Sequence, residues 1–344
     1  MDFSQKILVW YAENKRDLPW RQTKDPYKIW LSEVILQQTR IAQGIPYYER
    51  FVNAFPTVFD LADAAEQEVL KLWQGLGYYS RARNMLVSAK QVVTEFNGEF
   101  PKTYDDLIKL KGVGDYTASA IASICFGELQ PVVDGNVYRV LSRYFGVDLP
   151  INSSQGITYF KKLAKKVMSK QNICDYNQGL MEFGAVQCTP KNPSCSNCVF
   201  NSSCTALQSS KVSELPIKLK KTKIKKRHFN YLVFIDNQKN TIFQQRTGPG
   251  IWHNLYEFPL LETKRELKSL TTDAATQLNA QLHVNKIRLH NKVPIVHKLS
   301  HQHLYTKFWV VETDSELREG IQFEDLVAYP MPVLIDKFIR TFKF

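Results

Sequence analysis

No stretch of this 344-residue chain approaches the ~20 consecutive apolar residues that a membrane helix requires, which excludes a helical bilayer span. Met1 to Trp10 carries charge and polarity throughout and lacks the apolar region of a secretory signal peptide, so a soluble intracellular protein is expected. Acid is the minority charge: 33 Asp and Glu stand against 45 Lys and Arg, a formal net charge of +12. That balance suits a polyanionic partner, because a cation placed at a phosphate releases condensed counterions, although ribosomal and membrane-surface proteins share it. Cysteine is sparse, at six residues, and unevenly placed. Internal repeats and low-complexity tracts are missing, so no repeat architecture is expected.

What is present supplies two packed interiors: 44 % of residues are hydrophobic and 12 % aromatic, over a length too great for one comfortable core. The first two-thirds reads as helices. Ile29 to Gln38, Leu61 to Trp73, Tyr116 to Phe126 and Asn136 to Phe145 place apolar residues three and four apart. Thr103 followed by Asp106 resembles a capping box for a helix ending at Leu110. Lys218 to Arg227 then holds seven basic residues and no acid, the composition of a solvated linker that is also able to touch phosphate. Beyond it the pattern alternates as strands do. Phe229–Ile235 and Thr241–Gln245 are expected to form a hairpin, with further strands at Lys286–His290 and Leu304–Val311. Thr272–Leu282 and Pro332–Phe342 read as helices, so this second part is mixed α/β.

Cys125 and Cys174 stand alone and read as small buried hydrophobes. Cys188, Cys195, Cys198 and Cys204 form a C-x6-C-x2-C-x5-C run, a crowding that favours metal over disulfides. Only Cys195 and Cys198 make a CxxC pair, which points to an iron–sulfur cluster and leaves structural zinc as the alternative. Leu110-Lys111-Gly112-Val113-Gly114-Asp115-Tyr116 is a glycine turn between helices, where N–H groups are open to a phosphate and a helix N-terminus adds favourable charge. Glu33 sits among Ile29, Trp30, Leu36 and Gln37 at helical spacing, a setting that desolvates a carboxyl and keeps it protonated as a general acid; a wet-side carboxylate is the alternative. Asp134, ahead of Gly135-Asn136, reads as a helix N-cap, and a capped carboxylate that stays ionised is placed to stabilise a cationic sugar. His297, His301 and His303 alternate as one strand face does, with a metal site as the alternative.

The cysteine run, together with the glycine turn about twenty residues before Val133-Asp134-Gly135, resembles the endonuclease-III-like superfamily of helix–hairpin–helix DNA glycosylases. Arg16-Asp17-Leu18-Pro19-Trp20-Arg21, Ser32 to Thr39 (SEVILQQT), Gly75 to Asn84 (GLGYYSRARN), Gly248 to Trp252 (GPGIW) and Leu255 to Pro259 (LYEFP) resemble, more narrowly, the adenine DNA glycosylases of the MutY type. The likeness runs over nearly the whole chain. It implies a multi-domain protein. Residues 1–208 would form an all-α glycosylase domain with a [4Fe–4S] loop at 188–204, and 209–228 a basic linker. Residues 229–344 would form an α/β Nudix-like domain that recognises 8-oxoguanine. The REUxEE acids of a Nudix hydrolase are missing after Gly250, so that domain is expected to read and not to hydrolyse.

The resemblance implies as partner double-stranded DNA with adenine mispaired with 8-oxoguanine or guanine, bound by a monomer with no membrane, in the cytoplasm of a bacterial source. It implies one [4Fe–4S] cluster on the four cysteines, with Lys191 between them touching DNA. Glu33 would protonate adenine at N7, Asp134 would stabilise the oxocarbenium-like sugar, and Asn136 would support them. Arg16, Leu18, Trp20, Arg21 and Gln178 would line the adenine pocket. Gln38, Thr39 and Tyr78 would contact the duplex, with Gln38 and Tyr78 wedged beside the extruded base, while Gly112 and Gly114 hold phosphate. Tyr116 stands where bifunctional relatives carry Lys, so no Schiff-base strand cleavage is expected. Ser300 and His301 would approach 8-oxoguanine, preceded by Leu299, a smaller aliphatic side chain where the family commonly has Phe. Two alternatives remain: a thymine- or uracil-mismatch glycosylase on the same scaffold, and a non-catalytic damage sensor.

Overall fold

A computed structural model describes residues 1–219, 224–272 and 282–344. Contacts divide the chain into two units, Met1–Ala64 with Asn84–Lys220, and Ala65–Arg83 with Lys221–Phe344. The described residues of the first unit are helical: α1 Phe3–Asn14, α2 Pro26–Leu36, α3 Ile41–Ala54, α4 Val58–Asp63, most of α6 Ser80–Phe96, α7 Tyr104–Leu107, α8 Asp115–Phe126, α9 Gly135–Phe145, α10 Ser154–Val167, α11 Ile173–Glu182 and α12 Thr205–Gln208. Helix α5, Glu66–Leu72, belongs to the second unit.

Local chemistry starts and stops these helices. Asp2 and Gln5 cap α1 reciprocally. Asp25 accepts the Tyr27 N–H at the head of α2, and Pro26 presets the first helical φ. Almost every residue from Tyr27 to Ile35 is buried, so α2 runs through the middle of its unit rather than along its surface. It ends at Leu36, two residues short of expectation, because Gln38 turns into the left-handed region at φ 56°. The helix expected over Leu61–Trp73 is two helices, α4 and α5. Ala64 and Ala65 are extended, at ψ 144° and 139°, and no Gly or Pro marks the break. Thr103 does cap, with Oγ1 accepting the Asp106 N–H at 3.3 Å, but α7 closes at Leu107.

The core of this unit is aromatic: Phe3 stacks on Phe200 at 5.0 Å and Trp10 meets the edge of Phe183 at 4.9 Å. Helices α1 and α11 lie close because residue 179 is glycine; a Cβ there would sit 2.9 Å from Cβ of Tyr11.

The stretch expected as a free linker over 209–228 is in large part structured. Leu215 is buried and its carbonyl accepts Arg143 Nε at 3.0 Å; the Ile217 carbonyl accepts the Ile151 N–H at 3.0 Å. Lys225, Lys226 and Arg227 already belong to strand β1, Lys225–Ile235, and Arg227 forms a bidentate pair with Glu262. The buried Leu215 and its carbonyl hold one end, and the Glu262 carboxylate across the sheet holds the other.

In the second unit, β1 pairs in parallel with β8, Gln302–Thr313, in register Lys225↔Gln302, and antiparallel with β5, Leu260–Thr263. β6, Val284–Leu289, and β7, Ile295–Lys298, both pair with the other edge of β8. The expected hairpin after β1 does not form as such. The chain turns at Asp236–Asn240, but the return breaks into β2, Asn240–Thr241, and β3, Gln244–Gln245. These pair with β9, Ile321–Gln322, and β4, Tyr256–Glu257, while β8 takes one edge of β1 along its whole length and β5 the other over His228–Tyr231. The helix expected at Thr272–Leu282 lies, over 273–281, outside the described residues. The last helix, α13, is Val333–Thr341.

The segment Ala65–Arg83 is bonded into this unit. Lys71 Nζ donates to the Tyr329 carbonyl at 3.1 Å, Gln74 Oε1 accepts the Met331 N–H at 3.1 Å, and Arg83 Nη1 donates to the His253 carbonyl at 2.8 Å. Phe338 of α13, 3 % exposed, stacks on Phe308 at 4.0 Å with rings 5° apart. Phe338→Ala is expected to lower the urea unfolding free energy by roughly 3–5 kcal/mol at unchanged slope; a loss under about 1 kcal/mol would show that this stack is not the centre of the sheet's packing.

Candidate active site

Three helix ends converge in the first unit on a cavity of about 200 Å³. Helix α2 contributes Glu33, the start of α8 contributes Tyr116, the start of α9 contributes Asp134 and Asn136, and α11 contributes Gln178 and Glu182. Arg16, Leu18, Trp20 and Arg21 close it from the segment between α1 and α2, and Thr39 from beyond α2. Residues spread over more than 160 positions of sequence thus line one cavity.

The two carboxyls differ in setting. Glu33 is 9 % exposed, and burial pushes its pKa up to about 7; a Tyr116 hydrogen bond opposes the rise, Asp134 adds to it and Arg21 opposes it. Asp134 caps α9: its Oδ1 accepts the N–H groups of Asn136 and Val137 at 2.9 and 2.8 Å, and its Oδ2 accepts Asn136 Nδ2 at 2.7 Å. Burial raises the Asp134 pKa as well, against those donors and the nearby charge of Arg139. Those hydrogen bonds favour the expected ionised cap but do not cancel the cost of desolvation, so the net direction is upward. Asn136 is locked in turn by Arg139 Nη2 on its Oδ1 at 2.9 Å, and by Gly184, where any Cβ would lie 2.6 Å from its own. Tyr116, half-buried, is pushed by desolvation well above its ordinary pKa, so the phenol keeps its proton.

Glu182 carries no mark in the sequence, yet it organises the pocket mouth. At 2 % exposure, burial would raise its pKa, but two arginines outweigh that and hold it at about 2. Arg16 clasps it with Nε at 2.6 Å and Nη2 at 2.7 Å, and Arg21 Nη2 reaches Oε2 at 2.8 Å.

The glycine turn has the expected form. Gly112 needs its φ of +78° and its missing Cβ, which would meet Asn84 at 2.7 Å. Gly114 is at φ −98° with open space around it, so what it offers is an uncovered helix start: no side chain caps α8 there. Gln38 is exposed in a left-handed conformation. Tyr78, in the second unit, is 46 % exposed at φ 47°. Tyr78 lines a cavity of about 520 Å³ with Trp252, Leu299, Ser300 and His301, so the segment Ala65–Arg83 and the Ser-His loop share one site. Of the three alternating histidines, His301 lines this cavity and His297 packs edge-on against Trp252 at 5.7 Å.

All four clustered cysteines are unpaired and line one pocket, walled by Val140, Phe183 and Phe200. Arg143 Nη1 donates to Cys188 Sγ and the Phe200 N–H to Cys198 Sγ, both at 3.4 Å. Burial raises the Cys198 thiol to about 11. Among the described residues, no three His, Cys, Asp or Glu side chains are gathered closely enough to hold a metal ion as they stand. The donor set, four thiols in an apolar, water-poor pocket with N–H groups aimed at sulfur, suits a thiolate-held cluster. Lys191 is exposed on the same loop.

Comparison with known proteins was informative at both ends of the chain. Residues 31–177 match the HhH-GPD superfamily of base excision DNA repair proteins, and residues 230–341 a NUDIX domain. Adenine DNA glycosylase of Buchnera aphidicola from Acyrthosiphon pisum is 34 % identical over 99 % of this chain and 97 % of its own length. The chain belongs to the adenine DNA glycosylases. The enzyme of that name from the Buchnera of Schizaphis graminum is 36 % identical over 87 % of this chain and 84 % of its own. Human adenine DNA glycosylase is 44 % identical over 60 % of this chain and 39 % of its own. A thermostable thymine-DNA glycosylase structure superposes with a TM-score of 0.56, at 30 % identity over 60 % of this chain and 95 % of its own. An endonuclease III–DNA complex, 22 % identical with a TM-score of 0.53, shares the fold.

As an adenine DNA glycosylase, the chain is a hydrolase of N-glycosyl bonds in base excision repair, built from an all-α helix–hairpin–helix part and an α/β NUDIX part. No helix among its described residues is long and apolar enough to cross a membrane. Its buried Glu33 makes stability depend on pH. A carboxyl whose folded pKa is raised stabilises the fold below its unfolded value, and that contribution is lost as pH rises from about 4.5 to about 7. Glu33→Gln is therefore expected to gain on wild type across that window, by up to about 3 kcal/mol. Urea melts of both proteins at pH 5, 6, 7 and 8 test this; parallel pH profiles would mean that Glu33 is not desolvated.

Proposed function

We propose that the enzyme excises adenine mispaired with 8-oxoguanine, and secondarily with guanine, from a nucleotide extruded from duplex DNA. The observation that carries the chemistry is the buried Glu33, pushed up to about 7, on one cavity wall with the capped Asp134. A proton on Glu33 at neutral pH passes to adenine N7, which makes the base a neutral leaving group. As the glycosidic bond breaks, positive charge grows on the sugar, and the Asp134 carboxylate stabilises it until water adds at C1′. Asn136, fixed by Arg139 and Gly184, keeps that carboxylate aimed. Leu18 and Trp20 supply apolar walls for the base, and Arg16, Arg21 and Gln178 its polar edge.

Tyr116 lies where an amine would be needed for attack on the sugar. A phenol held protonated forms no Schiff base, so the product is an abasic site. Gln38 and Tyr78, both exposed and already in left-handed conformations, suit the space that an extruded base vacates in the stack. Gly112, Gly114 and Lys191 suit phosphate, and Thr39 borders the cavity. The cavity shared by Tyr78, Leu299, Ser300 and His301 suits 8-oxoguanine, and residues 229–344 act as its reader. Cys188, Cys195, Cys198 and Cys204 would hold one [4Fe–4S] cluster. Bound there, it supplies no step of base removal but cross-links the loop that carries Lys191. The enzyme acts as a monomer on cytoplasmic DNA.

The test is a panel of duplexes containing A:8-oxoG, A:G, T:G and U:G, each incubated with purified protein and cleaved with hot alkali. Strand scission is expected for the first two only. Turnover of T:G or U:G alone would make this a pyrimidine-mismatch glycosylase, and binding without scission anywhere would make it a damage sensor. Glu33→Gln should keep mismatch affinity while excision falls by roughly 10²–10⁴-fold. Borohydride should trap no covalent adduct. Protein as isolated should show broad visible absorption and four irons per chain; stoichiometric zinc would overturn the cluster.

A further inference from the structure

Gln178 faces the cavity of the first unit, and behind it lies a residue that the proposed mechanism does not use. Tyr11, on α1, is 4 % exposed and does not line the cavity, and its hydroxyl donates to Gln178 Oε1 at 3.2 Å. The other end of the same carboxamide, Nε2, donates to Cys174 Sγ at 3.5 Å, one turn back on α11. The two contacts fix the carboxamide from both ends. Its oxygen is turned to Tyr11, and its second N–H remains for whatever occupies the cavity.

We propose that Tyr11 is a specificity-determining positioning residue, which selects the base by dictating that Gln178 presents a donor and not an acceptor. This rests on the reading of the cavity as the base pocket. The alternative orientation is disfavoured at the Tyr11 end. A flipped carboxamide leaves the Tyr11 proton without its acceptor and gains in exchange only the weak S–H donor of Cys174. Burial pushes the Tyr11 pKa up to about 12, so the hydroxyl remains a donor across the working pH range. The ring is held by close packing on Gly179 and by the Arg21 guanidinium 5.6 Å from its centroid, so the hydroxyl has little room to turn elsewhere. A base whose ring nitrogens are bare acceptors, as in adenine, is matched by an N–H on Gln178. A purine with a protonated ring nitrogen at the same edge, as in hypoxanthine, sets donor against donor, a mismatch a buried site rejects strongly.

Tyr11→Phe removes only the hydroxyl and frees the carboxamide to flip. Single-turnover excision is measured from two duplexes opposite 8-oxoguanine, one carrying deoxyadenosine and one deoxyinosine. The adenine-to-hypoxanthine rate ratio is expected to fall about tenfold in Tyr11→Phe, at near-native thermal stability. In a Gln178→Ala background the same substitution should leave the ratio within about twofold, because the hydroxyl then has no carboxamide to orient. Gln178→Glu, which offers oxygen at both ends, should shift the ratio in the same direction even if Tyr11→Phe folds poorly. An unchanged ratio in Tyr11→Phe, equal slowing on both bases, or an equal shift in the Gln178→Ala background would each overturn the inference. Wild type that releases no adenine would instead overturn the base-pocket reading on which it stands.

Discussion

A carboxyl taken out of water is the constraint on which the first unit depends. Glu33 sits on α2, buried along nearly its whole length, and everything packed around that helix keeps solvent from the side chain. A lone desolvated acid would cost stability for nothing; here it faces a second carboxyl whose own burial is opposed in part by two backbone N–H groups and the Asn136 amide. Two acids with unlike surroundings in one cavity are the arrangement from which the proposed division into proton donor and anion follows.

The supports of this pair come from far along the chain and act through single atoms. Arg139 ties Asn136 to the Gly184 and Cys188 carbonyls, so the α9 start and the cysteine loop share one guanidinium. Arg16 and Arg21, both half-buried, converge on Glu182 and give a buried anion the counter-charge it needs. Gln178 is oriented by Tyr11 from behind. Each link is short, and in each a small or planar group makes the approach possible. Gly179 admits α1 against α11, and Gly184 admits Asn136.

The second unit puts its chemistry at the junction of two distant segments. Ala65–Arg83 is bonded to the carbonyls and amides around Val327–Met331 and to His253, and Tyr78 stands in the same cavity as Ser300 and His301. A wedge candidate and a lesion-reading candidate, more than 200 residues apart, are thus carried on one packed body.

Much of this was legible in the residues. Helical periodicity located α8 and α9 within a residue, the strand at 229–235 was found, and the pocket members Arg16, Leu18, Trp20, Arg21, Glu33, Asp134, Asn136 and Gln178 do meet. What was misread had long-range causes. The Leu61–Trp73 helix breaks at two alanines that locally favour helix, because its second half packs with the C-terminal unit. The hairpin after β1 breaks up, its return segments pairing with β9 and β4, strands far along the chain or beyond a loop, while β8 and, over His228–Tyr231, β5 flank β1. The expected linker is held by Arg143 and Glu262. The sequence by itself determined the fold classes, the caps and glycine turns, and the candidate reacting groups, since these depend on residue type and near neighbours. Only the tertiary structure decided that Glu33 is dry, that Glu182 is clasped, that Gln178 is turned by Tyr11 and that Tyr78 joins the Ser-His loop. Desolvation and hydrogen-bond direction depend on atoms that the chain brings together only when it folds.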